Sequence, residues 1–166
     1  AAVRVGSAGM TPATGTYALW RRLPRPVRSP LFSVGMCARV PFFATVLPRV
    51  RELEPGRCVV TAPMWFGVHN HLHTFHAIAS CNLAEVAMGM LAEATVPGTH
   101  RWIPKGMTVS YLAAGRTGMT ARAELDELPD FAAITEGTDL MIPVYLTDRS
   151  GVEVVHADIT VWVTPK

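Results

Sequence analysis

The sequence predicts an α+β fold in which a curved antiparallel sheet wraps one long central helix, with extra helices at the N-terminal side. Three observations carry that expectation. The run 77–96 places small and large apolar residues on nearly every face of a helix, and a helix apolar all round must be enclosed. The segments before and after it alternate apolar with polar residues between turn pairs such as Pro55-Gly56 and Ser150-Gly151, which is the pattern of strands. Finally, 166 residues with 49% hydrophobic and 17% charged content suit one core and exclude disorder for most of the length.

Each element follows from local chemistry. Residues 1–15 are small, Gly-containing and patternless, so a flexible N-terminus is expected ahead of a single domain over 16–166. Within it, 16–44 reads as a helical extension: a helix over 17–23 ended by Pro24, Pro26 and Pro30, then a second over 29–43 ended or bent by Pro41. The period changes toward alternation at Thr45. Strands over 46–53 and 57–64 flank Pro55-Gly56 as a hairpin, and after the helix four more are expected over 102–113, 118–127, 140–146 and 152–163. Small residues on the helix (Ala77, Ala79, Ser80, Ala84, Ala87, Gly89) allow a sheet to approach closely. Antiparallel strands curled around one such helix form the hotdog architecture.

Composition narrows the function. Nine basic and two acidic residues fall at or before Arg57, against six and eleven beyond it, an asymmetry able to orient an anionic ligand. No dense Lys/Arg run accompanies it, so nucleic acid is not an expected partner. Cys37, Cys58 and Cys81 form no CxxC pair, which reads as reduced thiols in a cytoplasmic protein. No charged segment followed by a short apolar one suggests a signal peptide. The apolar helix contains Asn82, Glu85 and Glu93; carboxylates are costly in hydrocarbon, so it is expected in a protein core rather than across a membrane.

The polar residues cluster where chemistry is possible. Four of the six histidines, His69, His71, His73 and His76, fall directly before the central helix, whose first amides point outward with the positive end of the dipole. The amides of Ala77 and its neighbours are therefore candidates to polarise a carbonyl. Glu85, nine residues beyond His76, is a carboxylate among apolar neighbours, suited to accept a proton or else to meet solvent or a partner's Arg. Asn82 is expected to satisfy buried backbone groups.

The spacing Asn70-x5-His76-x8-Glu85, followed by Met107-Thr-Val-Ser-Tyr-Leu-Ala-Ala-Gly and Met119-Thr-Ala-Arg-Ala-Glu, resembles the hotdog acyl-CoA thioesterases of the phenylacetate-degradation type. The segment 101–107 resembles a less characterised hotdog-like branch of that superfamily. The resemblance implies hydrolysis of an acyl thioester. Glu85 would be the base or nucleophile, Asn70 would orient water or thioester, His76 would open the helix, and Ala77 would stand at the oxyanion amides. Coenzyme A would enter as part of the substrate and no other cofactor is implied. A homodimer, or a dimer of dimers, would carry its sites at the subunit boundary, where pairing would also cover a sheet edge. The sequence departs from the family pattern at His73, Ala77 and Ile78, where glycines are usual, and at Thr108 and Ala114, where Asn and Pro are usual.

Other readings use the same residues. His71 and Glu85 have the separation of an acyl-thioester dehydratase pair, without its sequence context. The four histidines could hold a divalent ion, although the simpler expectation is no metal. A non-catalytic acyl-CoA-binding module and a nucleophilic Cys81 complete the set, the last disfavoured because buried cysteine is usually a small hydrophobe. Met88, Met90, Met107 and Met119 are expected in the core or acyl pocket, Trp65 and Phe66 in a pocket wall or the core, and Arg101, Lys105 and Arg116 at the surface.

Overall fold

The computed structural model describes residues 14–166, so most of the segment expected to be flexible lies outside the described residues. Helix α1, Gly15–Arg22, starts where the Thr14 hydroxyl accepts the Tyr17 amide and ends ahead of Pro24. Helix α2, Arg25–Arg39, begins four residues earlier than the sequence suggests. Pro26 sits in its first turn, where an amide would lack a partner anyway, and Pro30 lies inside the helix, removing one bond without stopping it. The corner between the two helices is pinned by Arg28, which donates to the Leu23 and Arg21 carbonyls and lies over the Trp20 ring. Trp20 in turn packs edge-on against Phe32 at 5.1 Å. A 3-10 turn, Pro41–Val46, leads into the sheet.

Six antiparallel strands follow: β1 Arg49–Glu54, β2 Arg57–Ala62, β3 His100–Tyr111, β4 Met119–Glu124, β5 Thr138–Thr147 and β6 Glu153–Pro165. They are ordered β1-β2-β4-β5-β6-β3 around helix α3, Ala77–Thr95. The architecture is the expected α+β hotdog fold. In β6 the inward set Ala157, Ile159, Val161 and Val163 is buried while His156, Asp158, Thr160 and Trp162 face outward, as the two-residue period of a strand requires. Thirteen of the nineteen α3 residues are buried. This helix is long and apolar enough to cross a membrane, but here the sheet supplies its apolar surroundings. The Pro55-Gly56 turn has Gly56 at φ +81°, a conformation glycine adopts readily, and its amide donates to Thr95 Oγ1 at the end of α3.

The two sheet edges differ. Beside β1, α2 supplies two serines: Ser33 Oγ accepts the Val50 amide at 2.9 Å and Ser29 Oγ donates to the Val50 carbonyl. Backbone groups that would otherwise solicit another strand are thereby satisfied. Among the described residues the β3 edge has no such cover; it pairs only with β6, and Ile103 and Tyr111 are exposed. Replacing Ser33 by Ala leaves a buried Val50 amide without an acceptor, and we expect a loss of about 1–3 kcal/mol. The check is urea unfolding: the midpoint falls while the slope holds, and an unchanged midpoint contradicts the role given to Ser33.

Candidate active site

The loop between β2 and α3 is built on Asn70. Its Oδ1 accepts the amides of Leu72 and Thr74 at 2.9 and 3.0 Å, and its Nδ2 donates to Thr74 Oγ1 at 2.7 Å. The Asn70 amide donates to the Thr74 carbonyl, and His69 bridges to Phe75. Asn70 is therefore engaged chiefly in closing this loop, with one side-chain N–H left over. The closure turns the chain through His73, which has φ +55°. This is the position where the resembled family carries glycine, and the histidine adopts the left-handed conformation that glycine takes without strain. The Phe75 amide then donates to Gly115 and the His76 amide to Val68, fixing where α3 begins.

His76 caps that helix with its ring. Nδ1 accepts the Ile78 amide at 3.1 Å, so the proton of the neutral imidazole sits on Nε2. Ile78's N–H is thus occupied, while the Ala77 amide makes no hydrogen bond among the described residues. The Ser80 amide returns to the His76 carbonyl. The donors that remain at the helix start are the Ala77 and Ala79 N–H groups, both on half-buried residues and neither hydrogen-bonded among the described residues.

Glu85 lies farther along. Ile78, Cys81 and Glu85 leave one stripe of α3 incompletely buried, as spacings of three and four residues require. The stripe faces the inner side of β3. Cys81 Sγ and the Tyr111 hydroxyl share a hydrogen bond of 3.2 Å, and a side chain at Gly89 would meet Trp102 at 3.7 Å. The Tyr111 phenol is pushed up to about 12, chiefly by its bond to Cys81 and then by burial. Glu85 stands between those two contacts, and its carboxylate has no hydrogen-bond or ion-pair partner among the described residues. Eight residues separate Ala77 from Glu85, or about 12 Å of helix axis.

Asn82 does what its chemistry suggests: Nδ2 donates to Thr45 Oγ1 at 2.9 Å and to the Phe42 carbonyl at 3.4 Å, tying the N-terminal extension to α3. The histidines do not form a ligand set, since no three metal-ligating side chains converge among the described residues. His69 and His73 instead meet edge to face at 6.2 Å, and His71 is exposed. Trp65 and Phe66 do not fill the core; they are 36% and 89% exposed, because the chain turns outward after β2. Met88, Met90 and Met119 are buried and Met107 half-buried. Tyr111 and its contact with Cys81 escape sequence reasoning, which has no way to align a residue of β3 with a turn of α3.

Residues 28–163 match the model of a family described as a domain of unknown function, DUF4442. The fold is shared with solved structures. A crystal structure of a structural-genomics target is 35% identical over 91% of this chain and 96% of its own, with a TM-score of 0.75. A protein from Pseudomonas aeruginosa described as a probable thioesterase is 21% identical, covering 87% of this chain and 97% of its own at TM-score 0.74. A thioesterase from Haemophilus influenzae is 13% identical, covering 79% and 87% at TM-score 0.67. No curated protein matches the chain.

The strained backbone of His73 yields a stability expectation. His73→Gly relieves the left-handed conformation at the cost of a more flexible unfolded chain, for a net gain of about 0.5–1 kcal/mol. Thermal unfolding should show a higher midpoint; a lower one means that the ring contact with His69 outweighs the strain.

Proposed function

The chain belongs to the DUF4442 family, and from that premise we propose that it is an acyl-CoA thioesterase whose site is completed by a second copy of itself. The observation that carries this reading is Glu85, a carboxylate without a partner among the described residues, on the open stripe of an otherwise enclosed apolar helix. A thioester carbonyl needs a donor for its developing oxyanion and a base for water. Ala77 N–H and Glu85 are those groups. Glu85 takes a proton from water, the water oxygen bonds to the carbonyl carbon, and Ala77 N–H holds the oxyanion. The C–S bond then breaks and the departing thiolate receives the proton, giving a carboxylic acid and coenzyme A. Direct attack by Glu85, forming an anhydride that water opens, uses the same two groups. The seam between α3 and β3, edged by the half-buried Trp102, Met107 and Val109, offers an apolar path for the acyl chain.

Within one α3 the donor and the base are too far apart to meet one carbonyl, and this argues for a dimer. Cys81 lies midway between Ala77 and Glu85. If two α3 helices run antiparallel with a two-fold axis near Cys81, Ala77 of one copy lies beside Glu85 of the other. The twelve-residue β3 edge, uncovered among the described residues, is a surface available for such pairing. Three unpaired thiols fit a reducing, cytoplasmic setting.

Glu85→Gln should lower kcat for thiol release from acyl-CoA by about 10²-fold or more with an unaltered circular dichroism spectrum. Undiminished turnover removes Glu85 from the chemistry, and tight acyl-CoA binding by a wild type that releases no thiol favours a binding module. A second experiment tests the shared site. Ala77→Pro deletes only the amide donor, because proline is accepted at the first helical position and His76 already has ψ 136°. Mixing this inactive variant with Glu85→Gln, after unfolding and refolding together, should restore roughly a quarter of wild-type activity through heterodimers holding one intact site. Light scattering should give two or four copies; a monomer, or mixing without recovery, contradicts the shared site.

A further inference from the structure

A cavity of about 360 Å³ opens on the outer face of the sheet where β1, β2 and β4 meet the β5–β6 turn. Arg49, Arg51 and Arg149 line it, together with Thr61 and Thr120, and no carboxylate does. The nearby acids are already engaged. Glu52 and Glu124 both hold Arg57 at 3.0 Å, and Asp148 Oδ1 accepts the Ser150 amide, the Ser150 hydroxyl and the Val152 amide within its own turn. None of the three lining arginines makes an ion pair among the described residues.

Arg51 is held by its side chain and Arg149 by its backbone. Arg51 Nε donates to Thr61 Oγ1 at 2.9 Å, which leaves its other four N–H groups, and the Arg149 amide donates to Thr117 Oγ1 at 3.1 Å. Three guanidiniums around one concavity repel one another until an anion enters, and their forked donors match phosphate oxygens. Met119 contributes to the cavity wall while its sulfur lies 4.0 Å from Ser80 Oγ in the first turns of α3, so only strand β4 separates the cavity from the helix start.

We propose that this cavity binds phosphate esters and, resting on the thioesterase reading, that its occupant is the phosphorylated nucleotide end of coenzyme A. Calorimetry with adenosine 3′,5′-bisphosphate tests the site directly, using wild type, the double variant Arg49→Gln/Arg149→Gln, and Arg25→Gln as a basic residue outside the cavity. The double variant should bind about tenfold or more weakly and Arg25→Gln as wild type; equal affinity in all three overturns the proposal. With an active enzyme, kcat/KM for an acyl-CoA relative to the same acyl group on N-acetylcysteamine, which lacks the nucleotide, should fall about tenfold through KM. An unchanged ratio, with inorganic phosphate binding as tightly as the bisphosphate, overturns the coenzyme A assignment. Loss of bisphosphate binding in the double variant of a protein that hydrolyses no thioester supports the site and sinks only the thioesterase reading.

Discussion

The rest of the structure depends on the need to enclose α3. A helix with Leu83, Val86, Met88 and Leu91 fully buried, and with Ala84, Ala87 and Ala92 between them, has no polar face to give to water. Only a surface that curves around it can bury it. The six-stranded sheet is that surface, and the alternation in β4, β5 and β6 supplies its apolar lining. Small residues on the helix set how closely the strands approach. A sheet of finite width cannot close fully around a cylinder, so a seam is left on one side. The seam falls beside β3, where Ile78, Cys81 and Glu85 remain partly open.

The edges of the sheet answer one physical problem in two ways. Unpaired backbone groups on an outer strand must meet water, a side chain or another strand. At β1 the N-terminal helices provide side chains, with Ser29 and Ser33 both directed at Val50. Their extension is further tied to α3 by Asn82 through Phe42 and Thr45. At β3 nothing among the described residues plays that part. Among the described residues the sheet is covered along β1 and open along β3, and the open edge is the one next to Glu85.

Much of this was legible in the sequence because it rests on periodicity. The extent of α3 was read to within one residue, and the six strands were found, since each alternates or lies between turn pairs. Prolines misled where position mattered more than identity: Pro26 looks like a stop but sits in the first turn of α2, where its missing amide costs little, while Pro30 removes one interior bond that the helix survives. For Trp65 and Phe66 the core alternative fails, because a hydrophobic residue in a loop carries no periodicity to say which way it faces. Within the candidate site, Glu85, Asn70, His76 and Ala77 stood out by spacing, but not what they touch. That His76 occupies the Ile78 amide and that Asn70 folds its own loop are facts of side-chain geometry. Contacts between distant elements, Cys81 with Tyr111 or Arg49 with Arg149 around one cavity, have no signature in a single sequence.

Helix geometry also explains why a candidate donor and a candidate base can share an element without sharing a substrate. Each residue advances the axis by about 1.5 Å, so Ala77 and Glu85 are separated by more than a carbonyl and an attacking water can span. Bending α3 would break the enclosure that defines the fold, and moving Glu85 toward the N-terminus would place it among the loop contacts of Ser80 and Met119. A symmetric partner resolves the conflict without changing either constraint, because an antiparallel neighbour converts separation along one helix into proximity across two. The core can then stay apolar and rigid while the reactive groups meet only at its seam.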